Sequence, residues 1–357
     1  MLDLQPQQKQ CVEMKEPFIL VKGTAGSGKS SIGIYRAIRL AKQGRRVLFV
    51  MYNTNLAASM EALVKALIID IPINLRIMTF YQYVDKILRK RVMRSSRSVV
   101  EGTELRNFIR PALGKVKKYK KSSVLEWDEQ FFEDEIQYIK GRGIKDLEEY
   151  KKIARSGRRK ALQEGPREAV WEVYCAYQSL LKGATREDWA DLALLALQTL
   201  QDRPLDESYD DVIIDEAQDL TLVAREVIQH LVVPLQDKVP TSGSMMVLAD
   251  TAQSLYSRSF SWSQLSNQMK MKPRSVNLKK NYRNTRQIAE AAIQLLALIE
   301  STYEEGYIDP ELTTRYGPPP MVITAMNTAG MFSWMSERIR DLTSDKTFHF
   351  SDFAVLC

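Results

Sequence analysis

Histidine and cysteine are scarce in this 357-residue chain: His230 and His349 are its two histidines, and Cys11, Cys175 and Cys357 lie far apart with no CxxC spacing. That scarcity speaks against zinc sites, disulfide scaffolds and Cys/His nucleophiles, all of which need clustered residues. Apolar runs are also short, none approaching the roughly 20 residues that cross a bilayer. The opening MLDLQPQQKQ has neither the basic nor the apolar region of a secretory signal. A cytoplasmic location is therefore expected. Internal repeats and low-complexity tracts are missing as well.

What is present is a globular composition, 45% hydrophobic and 27% charged. The length exceeds one ordinary core and calls for two or three folding units. The net charge is +7, from 51 basic and 44 acidic residues. Its distribution is uneven: Lys86 to Lys121 holds thirteen Lys/Arg against Glu101 and Glu104. Such a segment suits a phosphate backbone, although a solvated basic face gives the same pattern.

Strand-like and helical patterns alternate over the first 85 residues, with FILV at 18–21, VLFVM at 47–51 and LRIMTF at 75–80. This is the grammar of a parallel α/β sheet. Ile34, Ala37, Ile38 and Ala41 have helical spacing, and Gly44 stands where a helix-ending glycine belongs. From 86 to 185 the strand signal gives way to a basic, helical insertion. Strands return at DDVIIDEAQD (210–219) and SMMVLAD (244–250), both ending on an acid where ligands of parallel sheets bind. A further α/β domain is expected from 276, with MVIT near 321 as a strand. FAVLC, at the last residues, reads as the middle of a buried strand and suggests a truncated chain.

The segment GTAGSGKS, Gly23 to Ser30, fits GxxxxGK[ST] between a strand and a helix. In that context Gly23, Thr24, Ala25, Gly26, Ser27 and Gly28 shape a loop whose N–H groups face phosphates. Lys29 reaches the β/γ oxygens and Ser30 ligates Mg²⁺. In DEAQD, Asp215 suits Mg²⁺ and Glu216 suits an attacking water, a pairing expected of an ATP hydrolase. Acids that merely cap a following helix are the bland alternative.

LQPQQ, GTAGSGKS, VMYNTNLAASM, MTFYQYV, DEAQD, ADTAQSLY and LKKNYRNT follow one another in the order of the UvrD/Rep-like superfamily 1 helicases, which the chain resembles over nearly its whole length. The resemblance implies RecA-like P-loop domains that bind ATP and Mg²⁺: a first domain at 1–85 and 186–275, a basic helical insert at 86–185, and part of a second domain at 276–357. It implies adenine reading by Gln8, adenine stacking by Tyr282, and γ-phosphate sensing by Gln218 and Gln253. Arg283 is similar to the arginine that stabilises phosphoryl charge, worth roughly 10³ to 10⁵ in rate. For single-stranded DNA or a single/double-strand junction, the residues implied are Tyr52, Asn53, Thr54, Asn55, Thr79 and Phe80. The stretch SRSFSW departs from the usual pattern and leaves Tyr256, Phe260 and Trp262 as stacking candidates, of which Tyr256 and Trp262 are preferred.

The enzyme so implied is a DNA-stimulated ATPase and helicase with 3′ to 5′ polarity. Later family motifs are expected beyond Cys357, so an ATP- and single-strand-binding module with little turnover is the alternative. An RNA-directed helicase is a further one, because stacking surfaces accept either nucleic acid.

Overall fold

The computed structural model describes residues 4–52, 54–68, 70–91, 98–153, 155, 162–203, 209–230, 243–250, 273–297, 311–313, 315–344, 346 and 348–355. Helix α1 (Pro6–Glu13) leads into β1 (Phe18–Gly23), α2 (Lys29–Lys42), β2 (Val47–Met51), α3 (Thr54–Leu67), β3 (Leu75–Thr79) and α4 (Phe80–Arg91). A short β4 (Val99–Val100) opens an insert made of α5 (Arg106–Lys117), α6 (Glu129–Gly141), α7 (Leu147–Lys152) and α8 (Glu164–Gly183); β5 (Glu187–Asp188) closes it. Next come α9 (Trp189–Asp202), β6 (Asp211–Ile214), α10 (Leu222–Gln229), β7 (Ser244–Asp250) and β8 (Arg274–Leu278).

Six strands form one sheet in the order β3-β2-β6-β7-β1-β8, parallel at every pairing. The alternating side chains of each strand feed two cores. Phe18 and Leu20 pack with Leu48, Val50, Val212 and residues of α4, α9 and α10. Ile19 and Val21 pack on the opposite face with α1, α2 and α3. This is the mixed α/β, RecA-like fold expected from the motifs. Helix α2 ends as its glycine implied, with Gly44 at φ +82° and the Arg45 N–H donating to Leu40 O at 3.3 Å.

Two of the three expected domain boundaries, at 85/86 and 275/276, fall inside elements. Helix α4 continues past residue 86, burying Ile87 and Leu88 in the sheet's core. Strand β8 pairs with β1 along Ile19–Gly23, so residues 276–278 belong to the first sheet. The compact unit containing the sheet and the insert comprises Met1–Arg283 and Glu300–Leu312. Within it the insert has its own core, built on Ile109, Phe132, Ile136, Val170, Val173 and Tyr177.

The second unit, Asn284–Ile299 and Thr313–Cys357, contains α11 (Arg286–Ala297) and α12 (Thr328–Ser344). Gly317 N–H donates to Gln287 Oε1 at 3.0 Å, and Arg286 pairs with Glu290 at 2.8 Å. Met321 to Thr324 and Phe353 to Val355 form no strand, contrary to their apolar pattern, and Met321 and Val322 are exposed. A strand gains its hydrogen bonds only from neighbours, and none pairs with these segments among the described residues.

Gly33 shows how tightly α2 lies on the sheet. A Cβ there would come within 2.7 Å of Leu248 Cδ1 and 2.8 Å of Phe49 Cε2. Gly114, inside α5, has open space around it. Replacing glycine by alanine in a helix gains about 0.5–1 kcal/mol where nothing intervenes, whereas overpacking costs about 1–3 kcal/mol. Gly114→Ala should therefore raise the urea midpoint and Gly33→Ala should lower it; equal shifts of one sign would contradict the packing described.

Candidate functional site

The P-loop leaves the carboxyl end of β1 and turns into α2, so its backbone N–H groups gather at a helix N-terminus. Gly26 (φ +77°) and Gly28 (φ +84°) hold left-handed conformations that side chains resist, and each is also closely approached. A Cβ on Gly26 would lie 2.5 Å from Asn281 Oδ1, and one on Gly28 would lie 2.4 Å from Gln8 Nε2. The loop is thus braced from two sides. From α1, Gln8 Nε2 donates to Ser27 O at 3.0 Å while its Oε1 accepts from Gln5 N. From the chain after β8, Tyr282 N–H donates to Gly26 O at 2.9 Å, and Leu278 O accepts from Thr24 N–H.

Lys29 is buried, and its ammonium donates to Gly23 O at 3.1 Å and Thr24 O at 2.9 Å. It also pairs with Asp250 Oδ2 at 3.4 Å. A buried ammonium needs such partners, since a charge without them costs far more than one in water. Asp250 ends β7 beside β1 and was not among the expected site residues. The acid at the end of SMMVLAD was its signal.

Asp215 follows β6 and is buried, with Oδ1 accepting from Glu216 N–H at 3.0 Å. Its Oδ2 and the hydroxyl of Ser27 are buried without a hydrogen-bond partner. Burial pushes the Asp215 carboxyl up to about 6 despite the hydrogen bond from Ser30, with the neighbouring Glu216 adding to the rise. Ser30 and Asp215 therefore suit a divalent cation: a hydroxyl beside a carboxylate oxygen that lacks a counterpart. Glu216 occupies a left-handed conformation at φ 51°, strain of the kind kept at working sites. Gln218 links this turn to β7, Nε2 donating to Glu216 Oε2 at 2.5 Å and Oε1 accepting from Asp250 N–H at 3.1 Å.

Arg283 is exposed at the end of the bracing segment. Tyr282, half-buried, lies beneath Lys280, whose ammonium is 5.4 Å from the ring centroid; burial raises its phenol pKa, and Glu311 adds to the rise. The P-loop, Gln8, Asp215, Glu216, Gln218, Tyr282 and Arg283 thus all belong to one unit. Gln253, Tyr256 and Trp262, with Phe260, lie outside the described residues, as do Asn53 and the side chains of Thr54 and Asn55.

The aromatic surface differs from the one expected. Phe80 is buried at 1% exposure, so its ring has no face for a base. Thr79 is buried too, because it caps α4: its Oγ1 accepts from Gln82 N–H and Gln82 Oε1 accepts from Thr79 N–H, a reciprocal capping box. Tyr52 lies parallel over Phe80 at 6.3 Å and edge-on to Tyr81 at 5.2 Å. Tyr81 in turn meets Trp189 at 4.9 Å. Tyr52, Tyr81 and Trp189 are partly exposed and make a continuous row, of which Tyr81 and Trp189 were missed. Tyr81 adjoins Phe80 in MTFYQYV, but Trp189 is more than a hundred residues away and gave no local signal.

Part of the basic stretch is paired in space. Arg106 pairs with Glu133, Arg110 with Glu129, Lys117 with Glu126, and Lys120 with Glu168 and Glu172. The acids come from outside the window, mainly from α6 and α8. Lys115, Lys118 and Lys121 stay exposed. No helix among the described residues is long and apolar enough to cross a membrane.

The profile of the UvrD/REP helicase N-terminal domain matches residues 4–275. The ATP-dependent DNA helicase PcrA of Leuconostoc citreum is 24% identical over 368 residues, 98% of this chain and 46% of that protein. The ATP-dependent DNA helicase UvrD1 of Mycobacterium tuberculosis (strain ATCC 25618 / H37Rv) is 24% identical over 372 residues, 99% of this chain and 46% of that protein. The chain spans about half the length of the curated relatives it matches.

With its pKa raised from 3.8 to about 6, folded Asp215 keeps a proton that the unfolded chain has already lost. Its contribution to stability is complete below the unfolded pKa and declines as pH rises through 6, by up to about 3 kcal/mol. Asp215→Asn, uncharged and of similar shape, should melt above the wild type at neutral pH, with the margin shrinking toward pH 4. A margin independent of pH in thermal denaturation would contradict the buried, uncompensated carboxylate.

Proposed function

Given that the chain belongs to the UvrD/REP helicase family, we propose that it is the nucleotide-binding and strand-gripping portion of an ATP-dependent DNA helicase. In this reading ATP hydrolysis, stimulated by single-stranded DNA, drives 3′ to 5′ movement in the cytoplasm. The observation that carries it is the meeting of the P-loop, Lys29, Asp215 and Asp250 at the carboxyl ends of β1, β6 and β7. The first RecA-like domain then comprises the six-stranded sheet, the insert runs between β4 and β5, and a second RecA-like domain starts near residue 284.

The loop N–H groups and the α2 N-terminus receive the phosphates. Lys29 exchanges its carbonyl and Asp250 partners for the β/γ oxygens, one set of hydrogen bonds for another. Ser30 and Asp215 would hold Mg²⁺, which would offset the charge of the phosphate oxygens. Glu216 orients and polarises the attacking water, and Gln218, already bonded to it, reports the γ-phosphate to β7. Gln253, next in the motif after β7, shares that role. Arg283 stabilises charge that builds on the phosphate. Tyr282 stacks on adenine. Gln8 reads it by giving up the amide contacts it makes with Ser27 and Gln5.

Single-stranded DNA lies on the aromatic row, where each stacked base contributes about 1–3 kcal/mol. Tyr52, Tyr81 and Trp189 supply the faces, Asn53, Thr54 and Asn55, next in sequence to Tyr52, serve phosphates, and Tyr256 and Trp262 are further stacking residues. Thr79 and Phe80 support it from beneath.

The same site is compatible with a second reading, a module that binds ATP and strand with little turnover. Measuring ATP hydrolysis by this chain with and without oligodeoxythymidylate separates the two. The motor reading predicts DNA-stimulated hydrolysis that Lys29→Ala abolishes. Tight nucleotide binding without stimulated turnover would favour the module, and hydrolysis unchanged in Lys29→Ala would refute the site. Competition by matched RNA at fixed salt separates the DNA-directed enzyme from an RNA-directed one.

A further inference from the structure

Lys140 is a fully buried lysine outside the nucleotide site, held between the helical insert and α9. Its ammonium, on α6, lies 2.5 Å from Asp188 Oδ2 and 2.8 Å from Asp191 Oδ1. It also stands over the ring of Tyr177, on α8, at 4.9 Å from the centroid. All four carboxylate oxygens of the two acids are engaged. Asp188 Oδ2 accepts additionally from Tyr177 Oη at 2.8 Å, and Oδ1 from Asp191 N–H at 2.9 Å. Asp191 Oδ2 accepts from Asp188 N–H at 3.1 Å, and Oδ1 from Gln178 Nε2 at 2.9 Å. Two carboxylates against one ammonium leave a formal charge of −1, which the N-terminal dipole of α9 is placed to offset.

This network grips one particular point of the chain. Asp188 is the N-cap of α9, and the next residue, first of the helix, is Trp189. The ring of Trp189 meets Tyr81 at 4.9 Å, and its indole N–H donates to Glu101 Oε2 at 2.7 Å. Glu101 follows β4, which pairs with β5 in the two-stranded ribbon where the chain enters and leaves the insert. A hydrophobic contact would have held α9 as well, because replacing a buried ion pair by apolar residues of similar volume is often neutral or stabilising. What the ion pair adds is direction: a fixed N-cap, and with it a fixed orientation of the residue after it.

We propose that the Lys140–Asp188 pair is a positioning element for the strand-binding surface, by which the insert sets Trp189 against Tyr81. Lys140 and Asp188 touch no strand themselves. They act through the aromatic row, and the inference rests on the reading of that row as a base-stacking face.

The test compares binding of a fluorescein-labelled oligodeoxythymidylate by the wild type, Trp189→Ala, Lys140→Met and the double variant Lys140→Met/Asp188→Asn. Asparagine still caps a helix, so the double variant removes the two charges of the pair and keeps the cap, while Asp191 retains its hydrogen bonds from Gln178 and the Asp188 N–H. Trp189→Ala should weaken strand binding by roughly 5- to 100-fold. The double variant should weaken it by at least about fivefold well below its melting temperature, bind ATP as the wild type does, and show greater iodide quenching of the Trp189 fluorescence, read as the difference from a Trp189→Phe control. Unchanged strand affinity in the folded double variant, with Trp189→Ala impaired, would overturn the positioning role alone. Unchanged affinity in Trp189→Ala would remove the stacking face, and the inference with it.

Discussion

An ammonium buried where parallel strands end must be matched by oxygen on every side it can reach, and Lys29 meets that requirement with two P-loop carbonyls and Asp250. The match depends on the strand order. Because β1 lies between β7 and β8, its carboxyl end is flanked by Asp250 on one side and by the chain leading to Arg283 on the other. The glycines then permit a turn tight enough for Asn281 to touch Gly26 and for Gln8 to touch Gly28. Phosphate oxygens would compete for the same ammonium, so the nucleotide site and the resting ion pair are alternative solutions to one electrostatic demand.

Buried charges also hold the insert. Lys140 with Asp188 and Asp191 ties it to α9, reinforced by Tyr177, and Arg155 with Glu135 pairs within it, reinforced by Tyr150. Such pairs add little net stability but tolerate few alternative packings. The Lys140 network lies where the insert meets the N-terminus of α9, next to Trp189. Gln218 runs a similar connection at the nucleotide end, from Glu216 to the end of β7.

The features legible in the sequence were those set by neighbours along the chain. Continuous apolar runs marked β1, β2 and β7 nearly to the residue, and the P-loop glycines and Gly44 stand where their conformations demand. Pairing across the chain was not legible. Strand β8 looked like the start of a new domain because RSVNL says nothing of its partner, β1. The basic stretch looked unopposed because Glu126, Glu129, Glu133, Glu168 and Glu172 come from beyond it. Phe80 and Tyr81 are adjacent aromatics, yet the helix turns the first into the core and leaves the second at the surface. Asp250 was visible as a strand-ending acid, but its bond to Lys29 needed the sheet order.

On the proposed function, the P-loop and the chain from Leu278 to Arg283 act as one phosphate site at the carboxyl end of the sheet. Hydrogen–deuterium exchange with and without Mg-ATP tests it directly. Nucleotide should protect residues 23–30 and 278–283 together, with the same concentration dependence. Protection of the loop without the bracing segment, or of neither, would contradict it.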